Sequence, residues 1–267
     1  MKRFVTFDYN IHLLNARINL DKEQAIAFGA NLKGYGSVRT GPVNYNDALK
    51  DMNQFFSLNP FTTYDAKMTS SSWLELFFTY SRTIFDTEAG RLNAGITLKG
   101  MRGVSGLFAQ LTGGGIDRAV SGTETIYFIK AGSARYGYSN NYDRWKSNNS
   151  AGQNLKDLFG ASRSSVALDL GLEYWIKRQA VIPNAERAEA WYDYEWKIGV
   201  SLLDIGQNIY RYGTLSRAAS SPRSDISDST LNVKFDNPKT LAEFNDSLAT
   251  IVNNIAILNG QFKIWNP

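Results

Sequence analysis

Asp169 and Glu173 fall on the same side of one alternating segment, SSVALDLGLEYWIKRQ, and paired carboxylates are the acid and base of a glycosidase. Glu75 is a third carboxylate of the same parity pattern. The competing chemistry is simpler. Arg17, Lys33, Lys99, Lys177 and Lys197 occupy matching positions of similar segments, so Glu75, Asp169 and Glu173 read as members of an ion-pair network on a polar face. We take these eight residues as facing a lumen and assign none of them to catalysis.

Other chemistry is thinly represented. The one histidine, His12, could serve a Ser-His triad, but no serine sits in a nucleophile-elbow context. GGGID, residues 113–117, lacks the Lys-Ser/Thr of a phosphate loop and reads as a plain loop. LLDIG, around Asp204 and Gly206, reads as a strand end. With no cysteine in 267 residues there are no disulfides, thiolate metal sites or cysteine nucleophiles. The chain is expected to be no enzyme and to need no metal or cofactor. Net charge is +4, but acidic residues interrupt the basic ones, so no nucleic-acid surface is expected.

The elements that must carry these residues are strands. Val166, Leu168, Leu170, Leu172, Tyr174 and Ile176 alternate with Ala167, Asp169, Gly171, Glu173, Trp175 and Lys177. Equivalent alternation occurs over 14–20 and 26–33, joined by DKEQ, and over 73–80 and 92–99, joined around DTEAG. It recurs over 196–202, with weaker strands near 107–112 and 124–136. Gly100, Gly103 and Gly106 suggest a kink or an insertion. Long polar connections cover 36–70, 139–163 and 180–193. A helix is expected in NDALKDMNQFF, and another in DNPKTLAEFNDSLATIV with Asn237 as cap and Pro238 at its first position.

The apolar side of such strands meets either a core or lipid. No run approaches the roughly 18 apolar residues of a membrane helix, so any crossing must use strands. Small residues and mixed charges on the polar side, aromatics near strand ends, and short turns alternating with long loops over the first four strands, a pattern that blurs after Gly100, favour a membrane barrel. The expected fold is all-β: a partial, antiparallel up-and-down transmembrane β-barrel over 1–267, with short helices in long loops. The alternative is a soluble β-sandwich or lipocalin-like module binding a carbohydrate or lipid.

Three segments carry a resemblance. RLNAGITLKGMRG (91–103), ALDLGLEYW (167–175) and WKIGVSLLDIGQNIY (196–210) resemble, in order and spacing, successive strands of a Bacteroidota outer-membrane β-barrel family, loosely akin to FadL-type and type IX secretion-associated barrels. MRGVSG at 101–106 departs from that pattern. The resemblance implies an outer-membrane location, the bilayer as partner, and a role either in solute passage or as a structural or secretion-associated component meeting an envelope protein. It also implies a signal peptide upstream and further strands downstream, the chain being an internal fragment incomplete at both ends.

Overall fold

The computed structural model describes residues 2–46, 49–60, 62–177 and 194–265. The expected connection at 180–193 lies outside them. Among the described residues ten strands form one antiparallel sheet: β1 (Lys2–Asn19), β2 (Gln24–Pro42), β3 (Tyr64–Asp86), β4 (Gly90–Ser121), β5 (Glu124–Tyr138), β6 (Ser164–Lys177), β7 (Tyr194–Arg211), β8 (Arg217–Pro222), β9 (Val252–Ile257) and β10 (Gln261–Trp265). The two short turns form as their sequences dictate. Asp21 accepts from the backbone N–H groups of Glu23 and Gln24 at 2.7 Å, and the Thr87 hydroxyl accepts from Gly90 N–H.

The all-β expectation holds, while the strict up-and-down order does not. β1 to β4 are neighbours in sequence order, and then the sheet forks on the long strand β4. Its first part, Gly90 to Arg102, pairs with β6, which pairs with β7. Its second part, Leu107 to Ser121, pairs with β5, followed by β8 and β9. β6 can return to β4 because the helix α2 (Ala151–Ala161) occupies the notch between the branches. There Asn141 donates to Val104 and Leu158 carbonyls, and Gly103 N–H donates to Arg163. Among the described residues the sheet is unclosed: β1 lies at one edge, and β7 has no second partner before Gln207.

Register sorts every strand into two faces. Ile18, Ile26, Tyr80, Ile96, Leu170 and Leu202 form one transverse row. Ala16, Phe28, Phe78, Leu98, Leu168 and Ile205 form the next. Flanking rows bring in Leu14, Leu76 and Val166 on one side and Leu92, Tyr174 and Ile198 on the other. This apolar face is bare: Leu76 is 60%, Leu98 60%, Leu172 56% and Val200 67% exposed.

Further along, the same side of the sheet is covered. Tyr64 of β3 and Tyr136 of β5 join a core with Phe56, Ile226, Leu231, Leu248 and Ile251, carried by α1 (Met52–Leu58), α3 (Asp228–Phe235), α4 (Leu241–Ile251) and their connections. The helices differ from expectation at their ends. α1 starts at Met52 because Asp51 caps Gln54 N–H, and α4 starts at Leu241 because Thr240, and not Asn237, caps it. Pro238 therefore precedes the helix. α2, capped by Ser150, arises within the expected polar connection 139–163, and α3, capped by Ser227, in a stretch for which no element is expected.

The glycine-rich stretches are also corrected. Of the kink and the insertion expected at 100–106, the structure has the kink: β4 runs on through these residues with a bulge before Ser105. GGGID is not a loop but part of β4, with register shifts near Gly113, Gly115 and Ile116 and a positive φ of 63° at Gly113. Gly103 and Gly106 are spaces for Tyr210 of β7, which is 2% exposed; a Cβ on either would lie 2.6 Å from its ring. Gly106→Ala is expected to cost about 1–3 kcal/mol through overpacking, read as a lower midpoint of denaturant unfolding. Gly171→Ala, where a Cβ meets nothing within 4 Å, should leave the midpoint within about 0.5 kcal/mol.

The helical cap carries a pH dependence of its own. Burial pushes the phenols of Tyr64 and Tyr136 up to about 12. A raised folded pKa means that the folded state holds the proton more tightly, so this stabilisation is complete below the ordinary value of 10.0 and is lost as pH rises through about 12. Tyrosinate absorbance and helical circular dichroism, followed together from pH 9 to 12.5, should show these two phenols ionising only as the cap melts.

Candidate functional site

The other face is polar and concave. Its rows contain Arg17, Ala27, Thr79, Thr97 and Asp169, then Asn15, Gly29, Phe77, Lys99 and Ala167, then Asn31, Glu75, Met101 and Ser165. Lys33 of β2 lies 3.7 Å from Asp204 of β7, yet three strands separate them in the sheet. A flat sheet would hold those strands about 19 Å apart at about 4.8 Å per step. The contact requires the sheet to curl with this face inside.

At mid-height lies a charge hub. The Lys99 ammonium sits 2.6 Å from Asp169 and 2.6 Å from Asp204, and the Lys33 ammonium sits 3.2 Å from Glu75. Glu75 and Lys99 are almost wholly buried. The hub reaches β1 through Asn31, which donates to Glu75 at 3.3 Å and meets His12 Nδ1 at 2.9 Å. His12 is thus tied to Asn31 and Asn15 amides, and not to a serine. Beside the hub, Trp73, Met101 and Ala167 form a small buried cluster with Tyr35 packed against it, filling the concave side further.

Asp204 escaped the sequence reading. LLDIG does not end β7: Asp204 has φ 52°, its N–H donates to Asp169, and the strand bulges and continues inward to Arg211. The signal was available in the consecutive apolar residues Leu202 and Leu203, which break the alternation where the bulge falls. Past it, Tyr210 donates to or accepts from Ser71 at 2.7 Å, and β10 pairs with β7.

A second cluster lies towards the short turns. Glu173 accepts from Trp175 Nε1 at 2.6 Å and pairs with Lys197 at 2.7 Å, with Asn93 at 3.4 Å. Arg91 and Lys197 each approach the Trp175 ring, at 5.2 Å and 5.4 Å from its centroid. These residues line a cavity of about 900 Å³ together with Arg17, which makes no ion pair among the described residues. Lys177 stands apart, paired with Asp86 near the turn.

The glycosidase geometry is not assembled. Asp169 and Glu173 are about 14 Å apart along the strand at about 3.4 Å per residue, beyond the roughly 5–9.5 Å that such carboxylates use. Each is also engaged by a lysine. Among the described residues no group of three or more His, Asp or Glu side chains could hold a metal ion.

A curled antiparallel sheet, charged inside and bare and apolar outside, capped at one end by helices, defines the structural class. Residues 1–265 match the family of unknown function DUF5723, and the chain belongs to that family. No curated protein and no solved structure matches it.

Proposed function

We propose that this chain forms the wall of an outer-membrane β-barrel, with its convex apolar face in lipid, and that it acts as a structural or secretion-associated envelope component. The bare apolar rows carry this reading. The chain covers that side of the sheet with three helices near Tyr64 and Tyr136 and leaves it uncovered across Leu76, Leu98, Leu172 and Val200. Contiguous exposed apolar surface of this extent is rare on a soluble monomer. From Val166 to Ile176, β6 rises about 34 Å at about 3.4 Å per residue. At a barrel tilt of roughly 45° this is about 25 Å of membrane normal, the usual height of the lipid-facing band. Trp196, Tyr174 and Phe85 lie at one end of the band, and Tyr9 and Tyr142 beyond the other, where aromatic girdles sit.

The interior bears on the choice between scaffold and pore. The charge hub and the Trp73–Met101 cluster fill the concave side at mid-height, which favours a plugged wall over an open channel. Backbone groups at the edges of β1 and β7 need partner strands in lipid, and pairing at those edges closes the barrel. The test is electrophoretic migration of the full-length protein taken from envelope membranes. A form in the outer-membrane fraction that shifts only after boiling, with no steady conductance in planar bilayers, is expected. A monodisperse protein that stays soluble without detergent overturns the barrel; large steady conductance overturns the plug.

A further inference from the structure

Beyond the hub, on the side away from the short turns, we propose that the concave face is a binding site for an organic phosphate carried on a planar ring. A second cavity, of about 420 Å³, lies there between β2–β5 and the ribbon of β7 and β10. Arg39, Lys67, Gln110 and Arg135 form one transverse row across four strands. Lys263 of β10 also lines the cavity, and among the described residues no carboxylate does.

The contrast with the lysines elsewhere on the concave face is chemical. Lys33, Lys99, Lys177 and Lys197 each have an acidic partner. Arg39, Lys67, Arg135 and Lys263 have none among the described residues. Asp65, the next residue on that face of β3, is turned to Gly113 N–H at 2.8 Å. Four unmatched cations around one hollow repel one another, and a dianion relieves that repulsion; guanidinium forks suit phosphate oxygens.

Five of the other lining residues are aromatic: Tyr35, Phe108, Tyr212, Phe262 and Trp265, beside Ser37, Thr69 and Ile264. Phe108 and Phe262 meet edge to face at 5.3 Å, Tyr212 lies 4.9 Å from Phe262, and Arg135 stands over Phe108 at 5.9 Å. Trp265, 72% exposed, lies at the rim and offers an open ring face for stacking. A bare phosphate would leave these rings unused, and a neutral ring would leave the cations unmatched. The site does not depend on what the convex face meets, so it can stand or fall separately from the barrel.

The test is calorimetric titration of the full chain in non-ionic detergent with phenyl phosphate, inorganic phosphate and benzyl alcohol. Saturable binding of phenyl phosphate, about tenfold or more tighter than either comparator, is expected. Arg39→Ala and Lys67→Ala, both at exposed positions, should each weaken it about tenfold with unchanged circular dichroism. Lys130→Ala, which removes a cation paired with Asp117 elsewhere, should change nothing. Absence of saturable heat at millimolar phenyl phosphate overturns the site. So does equal weakening by Lys130→Ala, which would mark general charge attraction, or equal affinity for inorganic phosphate.

Discussion

Leu172→Arg is expected to destabilise the folded protein in lipid by about 2–4 kcal/mol, the cost of a cation near the middle of a barrel's lipid face. Leu172 lies mid-band and is 56% exposed. At an exposed position of a soluble sheet the same change would fall within about 0.5 kcal/mol. The two environments therefore predict clearly different costs for one substitution. The measurement is reversible urea unfolding in phospholipid vesicles, followed by tryptophan emission. Val166→Arg, at the end of the band, should cost distinctly less, because the long side chain can reach the interface. A cost that does not depend on depth would point away from lipid.

Lys99→Met is the second large effect. It leaves Asp169 and Asp204 facing one another without their shared cation, close to the buried carboxylate of Glu75. Removing one member of a buried ion pair costs about 3–5 kcal/mol, mostly from the charges left behind. Asp169 and Asp204 retain 16% and 21% side-chain exposure, so the low end of that range is expected. Combining Lys99→Met with Asp204→Asn and Asp169→Asn should recover part of the loss, since fewer stranded charges remain. The readout is the denaturant midpoint of the folded, boiling-sensitive form. Lys177→Met, at a more exposed pair near the turn, should cost less than about 1 kcal/mol. Equal losses at both positions would contradict a buried hub.

Much of this was legible in alternation alone. A side-chain period of two assigns each residue to a face, and register then carries that assignment across the sheet, so Lys33, Glu75, Lys99 and Asp169 meet as their parity implies. Long-range pairing was not legible. Nothing local in β6 distinguishes β4 from β5 as its partner; that depends on α2 filling the notch, and α2 is a short helix in a stretch rich in Asn and Ser. The roles of Asp204 and of the glycines at 103 and 106 are hidden from the sequence for a common reason. A bulge and a ring-sized gap are properties of two strands together, and Tyr210 lies over a hundred residues from the glycines it fills.

The absence of native cysteine makes the central claim directly measurable. Single cysteines placed from 168 to 174 in the full-length protein, spin-labelled and reconstituted in phospholipid vesicles, report collisions with oxygen and with a water-soluble nickel chelate. If the convex face lies in lipid, labels at 168, 170, 172 and 174 meet oxygen preferentially, most strongly near 170 and 172. Labels at 169, 171 and 173 then show little oxygen preference. High nickel accessibility at 170 and 172 would place that face in water and contradict the account.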